Sequence, residues 1–310
     1  MDLRKWQARY RDYLSIVKGW SPATTDTYSR ELKPFFAFLE NYDLTSLSGL
    51  TRKILEEYRG YLYRLQPKGK NLALSTQSVR LAAIKQFARF LFREQYLLVD
   101  IAAGLELPRR ARRLPRTILS EKETLQLLEA PNVTTAVGLR DRAILELFYV
   151  TGMRNSELRA LQLRDFDWSN RVVYIHQGKG NKPRVVPLGE EAEIWILEYL
   201  AKGRPQLLQD PDEKRCFVSR LSPTIGRQYL ARIVREYARK IGLEKVVTPH
   251  VLRHCCATHL LRRGAGIRQL QALLGHNNLD TTQIYTRVEV SDLVKVIEKF
   301  HPRERSEHEL

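Results

Sequence analysis

The stretch TPHVLRHCCATHLLRRG, residues 248–264, carries the signals for both ends of a helix. Thr248 is a typical N-cap and Pro249 suits the first helical position, so His250 falls in the first turn. Arg253 follows three residues later and shares the face of His250. Helix N-termini offer unpaired N–H groups and positive potential, and a neighbouring arginine can grip two phosphate oxygens. The stretch predicts a helix, ended by Gly264, with an anion site at its start.

The remainder of this helix is typical of packing rather than chemistry. We expect His259 to be structural. A zinc site built on His250 and His254 would lack a third ligand and a base. The residues predicted to face the core are Cys255, Cys256, Ala257, Leu260 and Leu261.

Around this stretch, helical signals dominate the C-terminal part. A capping box, Ser120 with Glu123, opens one helix, and residues 140–150 form another. Two β-branched runs, 172–176 and 184–188, bracket a glycine-rich turn and predict a hairpin. Further helices are predicted at about 190–201, 224–241, 249–263, 267–274, 280–287 and 291–299.

The first third shows helical periodicity only. Four helices with regularly spaced apolar residues predict a small bundle over residues 1–107. Its signals include Ser21-Pro22 at one helix start and Thr51 at another. Residues 108–117, PRRARRLPRT, hold five arginines and two prolines and lack apolar periodicity. They predict either a solvated linker or a basic strap across a phosphate backbone, and we favour the strap.

Composition narrows the class of partner. The chain has 310 residues, 52 Lys+Arg against 35 Asp+Glu, and a net charge of +17. The excess is spread over both halves and is densest between them, which favours nucleic acid over a merely basic surface. Three cysteines, two of them adjacent, argue against a disulfide framework, and no apolar run is long enough to span a membrane. We expect a cytoplasmic, nucleoid-associated protein with no membrane contact.

Three further motifs carry candidate chemistry. In TGMRNSEL, residues 151–158, Arg154 sits at a turn, Asn155 or Ser156 can cap the next helix, and Glu157 can orient Arg154. Lys179 lies between two glycines at the hairpin tip, and Tyr285 follows His276 by nine residues. Each motif alone is also compatible with an ordinary surface or core residue.

Together these residues suit phosphodiester chemistry. Two arginines would polarise the phosphate and lower the pKa of a tyrosine nucleophile. The hairpin lysine could protonate a leaving 5′-hydroxyl. A covalent phosphotyrosine keeps the bond energy, so neither ATP nor a metal is needed, and we expect no cofactor.

At these residues the sequence resembles the tyrosine recombinase (phage integrase) family, especially its Xer-type and mobile-element members. The resemblance runs through LSTQSVR, LPRTILS, TGMRNSELRALQLRDFD, GKGNKPRVVPLG, TPHVLRHCCATHLL, LLGHNNLDTTQIYT and FHPRER. It implies a mostly α fold with a small antiparallel sheet: an N-terminal four-helix, SAM-like DNA-binding domain and a mixed α/β catalytic domain at 118–310. One departure is Cys255-Cys256, where relatives often have a small residue and then an aromatic; we interpret it as a packing variation.

The resemblance also implies the roles of residues. The family's catalytic set matches Arg154, Lys179, His250, Arg253, His276 and, as nucleophile, Tyr285, with Glu157 supporting the first arginine. We expect DNA contacts from Arg109, Arg110, Arg112, Arg113, Arg116, Lys182 and Arg184. The tail helix at 291–300 either packs on its own domain or docks on a neighbouring protomer, and we favour the neighbour.

The implied activity is site-specific DNA recombination through a 3′-phosphotyrosyl intermediate and a Holliday junction. The implied assembly is a homotetramer, or a heterotetramer with a paralogue, on double-stranded DNA carrying recombination sites. Alternatives are a type IB topoisomerase, a telomere resolvase or a non-enzymatic DNA-binding protein.

Overall fold

The chain divides into two compact units, Met1–Leu114 and Pro115–Leu310. The computed structural model describes residues 3–42, 44, 47–108, 118–176, 183–220, 225–275 and 290–304. The predicted basic strap falls almost wholly outside these ranges, because residues 109–117 are not among them. Each unit has its own hydrophobic core.

The first unit is built from helices, as predicted. They are α1 (Leu3–Asp12, followed by a π-helical turn at Tyr13–Val17), α2 (Pro22–Leu39), α3 (Arg52–Arg64) and α4 (Leu74–Arg93). The Ser21 hydroxyl caps α2 by accepting from the Thr24 N–H, whereas Thr51 occupies the N-cap of α3 without a side-chain cap bond. Aromatic rings fill the core, with Tyr10 and Phe35 fully buried.

The second unit surrounds one central helix. Its elements are α5 (Glu121–Glu129), α6 (Ala136–Thr151), α7 (Asn155–Ala160), β1 (Phe166–Asp167), β2 (Val172–Ile175), β3 (Arg184–Pro187), α8 (Glu190–Glu198, followed by a π-helical turn at Tyr199–Gly203), α9 (Arg204–Leu207), α10 (Arg227–Lys240), α11 (Pro249–Arg262), α12 (Ile267–Leu274) and α13 (Val290–Phe300). The predicted capping box of Ser120 and Glu123 opens α5. Helix α6 is buried along almost its whole length. Its charged residues are therefore paired inside the core, Arg140 with Asp141 and Arg142 with Glu146.

The strands form a small antiparallel sheet in the order β1-β2-β3. Strands β2 and β3 pair as the predicted hairpin, with Val173 opposite Val186. Strand β1 was not predicted, because its two residues are too few to show an alternating pattern. The fold class is therefore confirmed: mostly helical, with one small antiparallel sheet.

In this single chain the tail packs on its own unit, and its docking on a neighbouring protomer stays a prediction. Leu293, Val296 and Ile297 of α13 are buried, and the helix packs against β3 and α12. Beyond it, His301 is fully buried, and Arg303 reaches the buried Glu146 with an Nη2–Oε1 distance of 2.8 Å. Burial of these groups within the same chain is what holds the tail.

Candidate active site: an arginine cluster around a buried glutamate

Helix α11 presents the predicted pair His250 and Arg253. The Thr248 hydroxyl accepts from the Val251 N–H and Pro249 takes the first helical position, so His250 lies exposed in the first turn. Arg253, one turn later, is half-buried and donates through Nη1 to the Gly152 carbonyl and through Nη2 to the Leu274 carbonyl at 2.6 Å. The pair thus lies on the side of α11 that meets α6 and α12.

Arg154 stands where α6 gives way to α7. Gly152 ends α6 in the left-handed conformation, at φ 54°, and a Cβ there would come within 2.6 Å of Leu274 Cδ2. Arg154, rather than the predicted Asn155 or Ser156, occupies the N-cap of α7. The Glu157 carboxylate, at the third helical position, accepts from the Arg154 N–H at 2.7 Å, as the acidic residue of a capping box does.

Glu157 is the centre of the cluster. Its side chain is only 1% exposed, and Oε1 accepts from Arg154 Nη1 at 2.7 Å. Both carboxylate oxygens also accept from Arg184, at 2.8 Å from Nη1 and 2.7 Å from Nη2. One buried carboxylate therefore orients two guanidinium groups.

The end of α12 accepts from all three arginines. Arg154 donates to the Gly275 carbonyl at 2.9 Å, Arg184 to Leu273 at 3.2 Å, and Arg253 to Leu274. Helix C-terminal carbonyls carry negative partial charge, which suits cations. Since His276 follows Gly275 directly, the cluster is attached to the start of the segment that carries the remaining predicted residues.

The electrostatics of the cluster favour an anionic ligand. Burial alone would raise the pKa of Glu157, but the hydrogen bonds and charge of Arg184, with those of Arg154, outweigh it and lower the pKa to about 2. Burial and the neighbouring charges of Arg154 and Arg184 lower the pKa of Arg253 to about 10. Two guanidinium groups thus bind one carboxylate, a third lies near it, and Arg154 remains 22% exposed. A second anion near Arg154 and Arg253 would offset this excess positive charge.

Several predicted residues lie outside the described residues. They are Lys179, Lys182, His276, Tyr285, Arg109, Arg110, Arg112, Arg113 and Arg116. The predicted helix at 280–287 also falls there. Among the described residues, the structure brings together Arg154, Arg253 and Glu157, with His250 on the same helix as Arg253.

Arg184 was predicted to contact DNA, but the structure buries its side chain against other residues of the protein. Its side chain is 2% exposed and its donors meet Glu157 and the Leu273 carbonyl. The sequence contained one signal for this: Arg184 is in phase with Val186, two residues on, and so faces the same side of β3. Both are buried.

The predicted core face of α11 is confirmed only in part. Cys255, Cys256 and Leu260 are buried, but Ala257 is half-buried and Leu261 is 50% exposed, because Leu261 lies on the outer side of the last turn. His259 is structural: it is buried, with Nδ1 2.8 Å from the Tyr149 hydroxyl and Nε2 2.9 Å from the Leu119 carbonyl. Within the described ranges, no group of three or more His, Cys, Asp or Glu could hold a metal ion. None of the helices described there is long and apolar enough to cross a membrane.

Each of the two units matches a domain of one enzyme family. The phage integrase family model matches residues 117–291, and the N-terminal SAM-like domain model of phage integrases matches residues 8–95. The chain therefore belongs to the phage integrase family.

Named relatives narrow the activity. The chain is 38% identical over 288 residues to tyrosine recombinase XerC 2 of Ralstonia nicotianae, covering 93% of this chain and 83% of the relative. It is 36% identical over 294 residues to tyrosine recombinase XerD of Staphylococcus epidermidis, covering 95% and 97%. The chain is an enzyme of site-specific recombination, and the topoisomerase, resolvase and non-enzymatic alternatives are not favoured.

Solved structures agree on the fold. A XerH site-specific recombinase bound to its difH substrate aligns with a TM-score of 0.65 at 22% identity, covering 90% of this chain and 81% of that one. A lambda integrase dimer bound to a core site aligns with a TM-score of 0.66 at 21% identity, covering 91% and 97%.

Proposed function

We propose that this recombinase cleaves and rejoins double-stranded DNA at specific sites, with Tyr285 as the covalent nucleophile. The observation that carries the proposal is the cluster of Arg154 and Arg253, half-buried around Glu157 at the end of α12. Buried, preoriented guanidinium groups stabilise the charge that grows on nonbridging phosphate oxygens in the transition state. Gly275, whose carbonyl accepts from Arg154, lies one residue before His276 and ten before Tyr285 in the chain.

The proposed reaction is a balanced transesterification. The Tyr285 oxygen forms a bond to the scissile phosphorus as the bond to the 5′-oxygen breaks, which leaves a 3′-phosphotyrosine and a 5′-hydroxyl. Lys179 gives its proton to the leaving 5′-oxygen, and an imidazole, His250 or His276, accepts the phenol proton. Attack of a 5′-hydroxyl from the partner duplex reverses these steps and forms a Holliday junction.

The protein's own residues supply the binding energy in this scheme. Arg154 and Arg253 hold the nonbridging oxygens, with His250 in the first turn of α11 beside them. Glu157 keeps Arg154 in place by accepting from both its backbone and its side chain. The scheme uses no cofactor and no metal.

The proposed partner is DNA gripped by both units. The basic strap, Arg109, Arg110, Arg112, Arg113 and Arg116, would cross the phosphate backbone between the domains at 1–107 and 118–310, with Lys182 adding a contact at the hairpin. Support comes from the net charge of +17. Structures of XerH on its difH substrate and of a lambda integrase tetramer on a Holliday junction support a tetramer on DNA, of one chain or of two paralogues. The nucleoid is the proposed place of action.

The proposal is tested by covalent capture. The purified protein is incubated with fragmented DNA of its host, denatured in detergent, and the DNA that remains attached is sequenced. We expect one site or one small class of sites for the wild type, none for Tyr285→Phe, and strong depletion for Arg154→Ala. Equal capture by Tyr285→Phe would contradict the nucleophile assignment, and capture without site preference would contradict site-specific action.

A further inference from the structure

Arg184 is a buried cation that binds the cluster from a third element. Strand β3 begins with Arg184, whose guanidinium contacts both oxygens of Glu157 on α7 and, through Nε, the last turn of α12. Gly275 lies against the same side chain, because a Cβ there would be 3.2 Å from Arg184 Cδ and 3.3 Å from Nε. One side chain therefore joins α7, β3 and the end of α12.

Arg184 and the residues that it contacts are close in the chain to the segments that carry Lys179 and Tyr285. Arg184 comes two positions after the segment 177–182, which includes Lys179. Leu273 and Gly275, against which its side chain lies, come just before the segment that leads to Tyr285. The base of the lysine hairpin and the base of the tyrosine segment are thus held to the same guanidinium.

The contacts of Arg184 distinguish it from Arg154. Arg154 shares Glu157 but keeps 22% of its side chain exposed, whereas Arg184 is 2% exposed. The fork of Arg184 is directed at the carboxylate, not at solvent, so the group that faces a ligand is Arg154. A residue in this position acts through its neighbours.

We propose that Arg184 is a positioning residue: it fixes Glu157, and through it Arg154, in the geometry that receives the scissile phosphate. This inference rests on the proposed function of Arg154. Arg184 donates to both carboxylate oxygens of Glu157, in addition to the bonds from Arg154. Glu157 therefore stays ionised and keeps its orientation. Without Arg184, the carboxylate has a single cationic partner and Arg154 loses its fixed orientation.

The role requires an arginine. A lysine ammonium is a point charge and cannot bind both carboxylate oxygens with a planar fork while donating a third bond to Leu273. Arg184→Lys therefore keeps the positive charge but not the geometry. A displacement of the phosphate-binding group by about 1 Å costs roughly 100-fold in rate, so we expect a loss of that order for Arg184→Met and a smaller loss for Arg184→Lys.

The pH profile separates positioning from simple loss of stability. The charged groups facing Glu157 are Arg184 from β3, Arg154 at the N-cap of its own helix and Arg253 from α11. Glu157 also lines a cavity whose other titratable or charged residues are Arg164, Asp165, Tyr174, His176 and Arg215. With Arg184 present the pKa of Glu157 is about 2, so Glu157 adds no acid limb near neutral pH. Without Arg184 the pKa of Glu157 rises, because fewer hydrogen bonds and positive charges then oppose the effect of burial. The ratio of variant to wild-type cleavage should then increase with pH.

The experiment measures single-turnover covalent complex formation on a nicked duplex carrying the captured site. Wild type, Arg184→Met, Arg184→Lys, Glu157→Gln and the Glu157→Gln/Arg184→Met double variant are compared from about pH 5.5 to pH 8.5, the range in which buried carboxyls with too few partners titrate. We expect roughly 100-fold slower cleavage for Arg184→Met, a ratio to wild type that rises with pH, and partial recovery in Arg184→Lys. The double variant should cleave no more slowly than Glu157→Gln alone, because both changes act on one carboxylate.

Arg140→Met is the matched control. Arg140 is also a buried arginine paired with a buried carboxylate, Asp141, but it lies in the second turn of α6, about 18 Å along that helix from Gly152. Its removal should lower the melting temperature while leaving the pH profile as in wild type.

Three results would overturn the positioning role. One is a folded Arg184→Met protein that cleaves at the wild-type rate or with the wild-type pH profile. Another is multiplication of the two single effects in the double variant. The third is weaker DNA binding with a salt slope reduced by about one and unchanged cleavage at saturating DNA, which indicates a direct phosphate contact.

A separate measurement distinguishes these failures from failure of the proposed function. If the wild type itself forms no covalent complex, the proposed function is wrong. The link between Arg184 and Glu157 is then read from the melting temperatures of wild type, Arg184→Met, Glu157→Gln and the double variant. Non-additive shifts support the coupling, and additive shifts overturn it.

Discussion

Replacing Glu157 with glutamine tests the centre of the cluster most simply. Glutamine keeps the size of the side chain but removes the charge and turns one oxygen into an NH2 group. That NH2 would face the N–H donors of Arg154 and Arg184, which approach both oxygens in the wild type. Arg184, 2% exposed, would then be a buried cation without a carboxylate.

The size of the effect follows from the pKa. Lowering the Glu157 pKa from 4.5 to about 2 corresponds to roughly 3 kcal/mol of stabilisation of the ionised form on folding. Loss of one partner from a buried pair gives a similar figure of about 3–5 kcal/mol. For a unit of this size, roughly 3 kcal/mol lowers the melting temperature by about 6–12 °C.

The sign of the pH dependence is fixed by the same shift. Because the folded-state pKa is below the unfolded value, the Glu157 contribution is fully present above pH 4.5 and is lost as pH falls towards 2. The difference between wild type and Glu157→Gln should therefore be constant from about pH 5 to pH 8 and shrink below pH 4.5.

Scanning calorimetry of the full chain measures this difference, with Glu198→Gln as control. Glu198 pairs with Lys202 on the surface, where its side chain is 40% exposed, so its replacement should cost less than about 1 kcal/mol. A Glu157→Gln protein that melts within 2 °C of wild type, by the roughly 2–4 °C per kcal/mol scale, would refute the central role of the carboxylate.

Three further predictions concern catalysis, DNA binding and the tail. Lys179→Ala should slow cleavage but recover on a substrate whose 5′-oxygen is replaced by sulfur, a leaving group that needs no acid; lack of recovery counts against the proton-donor role. DNA affinity should fall steeply with salt, by about −0.9 on a log–log slope for each phosphate contact, and a flat salt profile in a binding titration would contradict the clamp. Arg303→Met should loosen the tail, because Arg303 binds the buried Glu146 and also Glu191, at a cost of roughly 2–3 kcal/mol; unchanged hydrogen exchange at 290–304 would rule out this anchor.

Local signals in the sequence were enough to predict the helices and, within the site, the pairing of Arg154 with Glu157. Caps at Ser21, Ser120 and Thr248 are where the sequence places them, because a cap depends on residues three positions apart. The pairing of Arg154 with Glu157 spans the same short distance and is present. The domain boundaries and the roles of residues outside the described ranges stay predictions.

What the sequence missed depends on contacts between distant residues. Arg184 meets Glu157 across 27 positions and Arg154 meets Gly275 across 121, and no periodicity links such pairs. Docking of the tail on a neighbour stays a prediction, since an amphipathic helix reveals an apolar face but not which surface covers it in an assembly. In the single chain, its own unit covers it.

The most direct test of the account is the chemical identity of the residue that becomes attached to DNA. After covalent capture, nuclease and trypsin digestion leave a nucleotide remnant on one peptide, which tandem mass spectrometry can locate. We predict the remnant on Tyr285, within the tryptic peptide spanning residues 269–287, and a strongly depleted yield when Arg154 is replaced by alanine. A remnant on any other residue, or an equal yield without Arg154, would contradict the account.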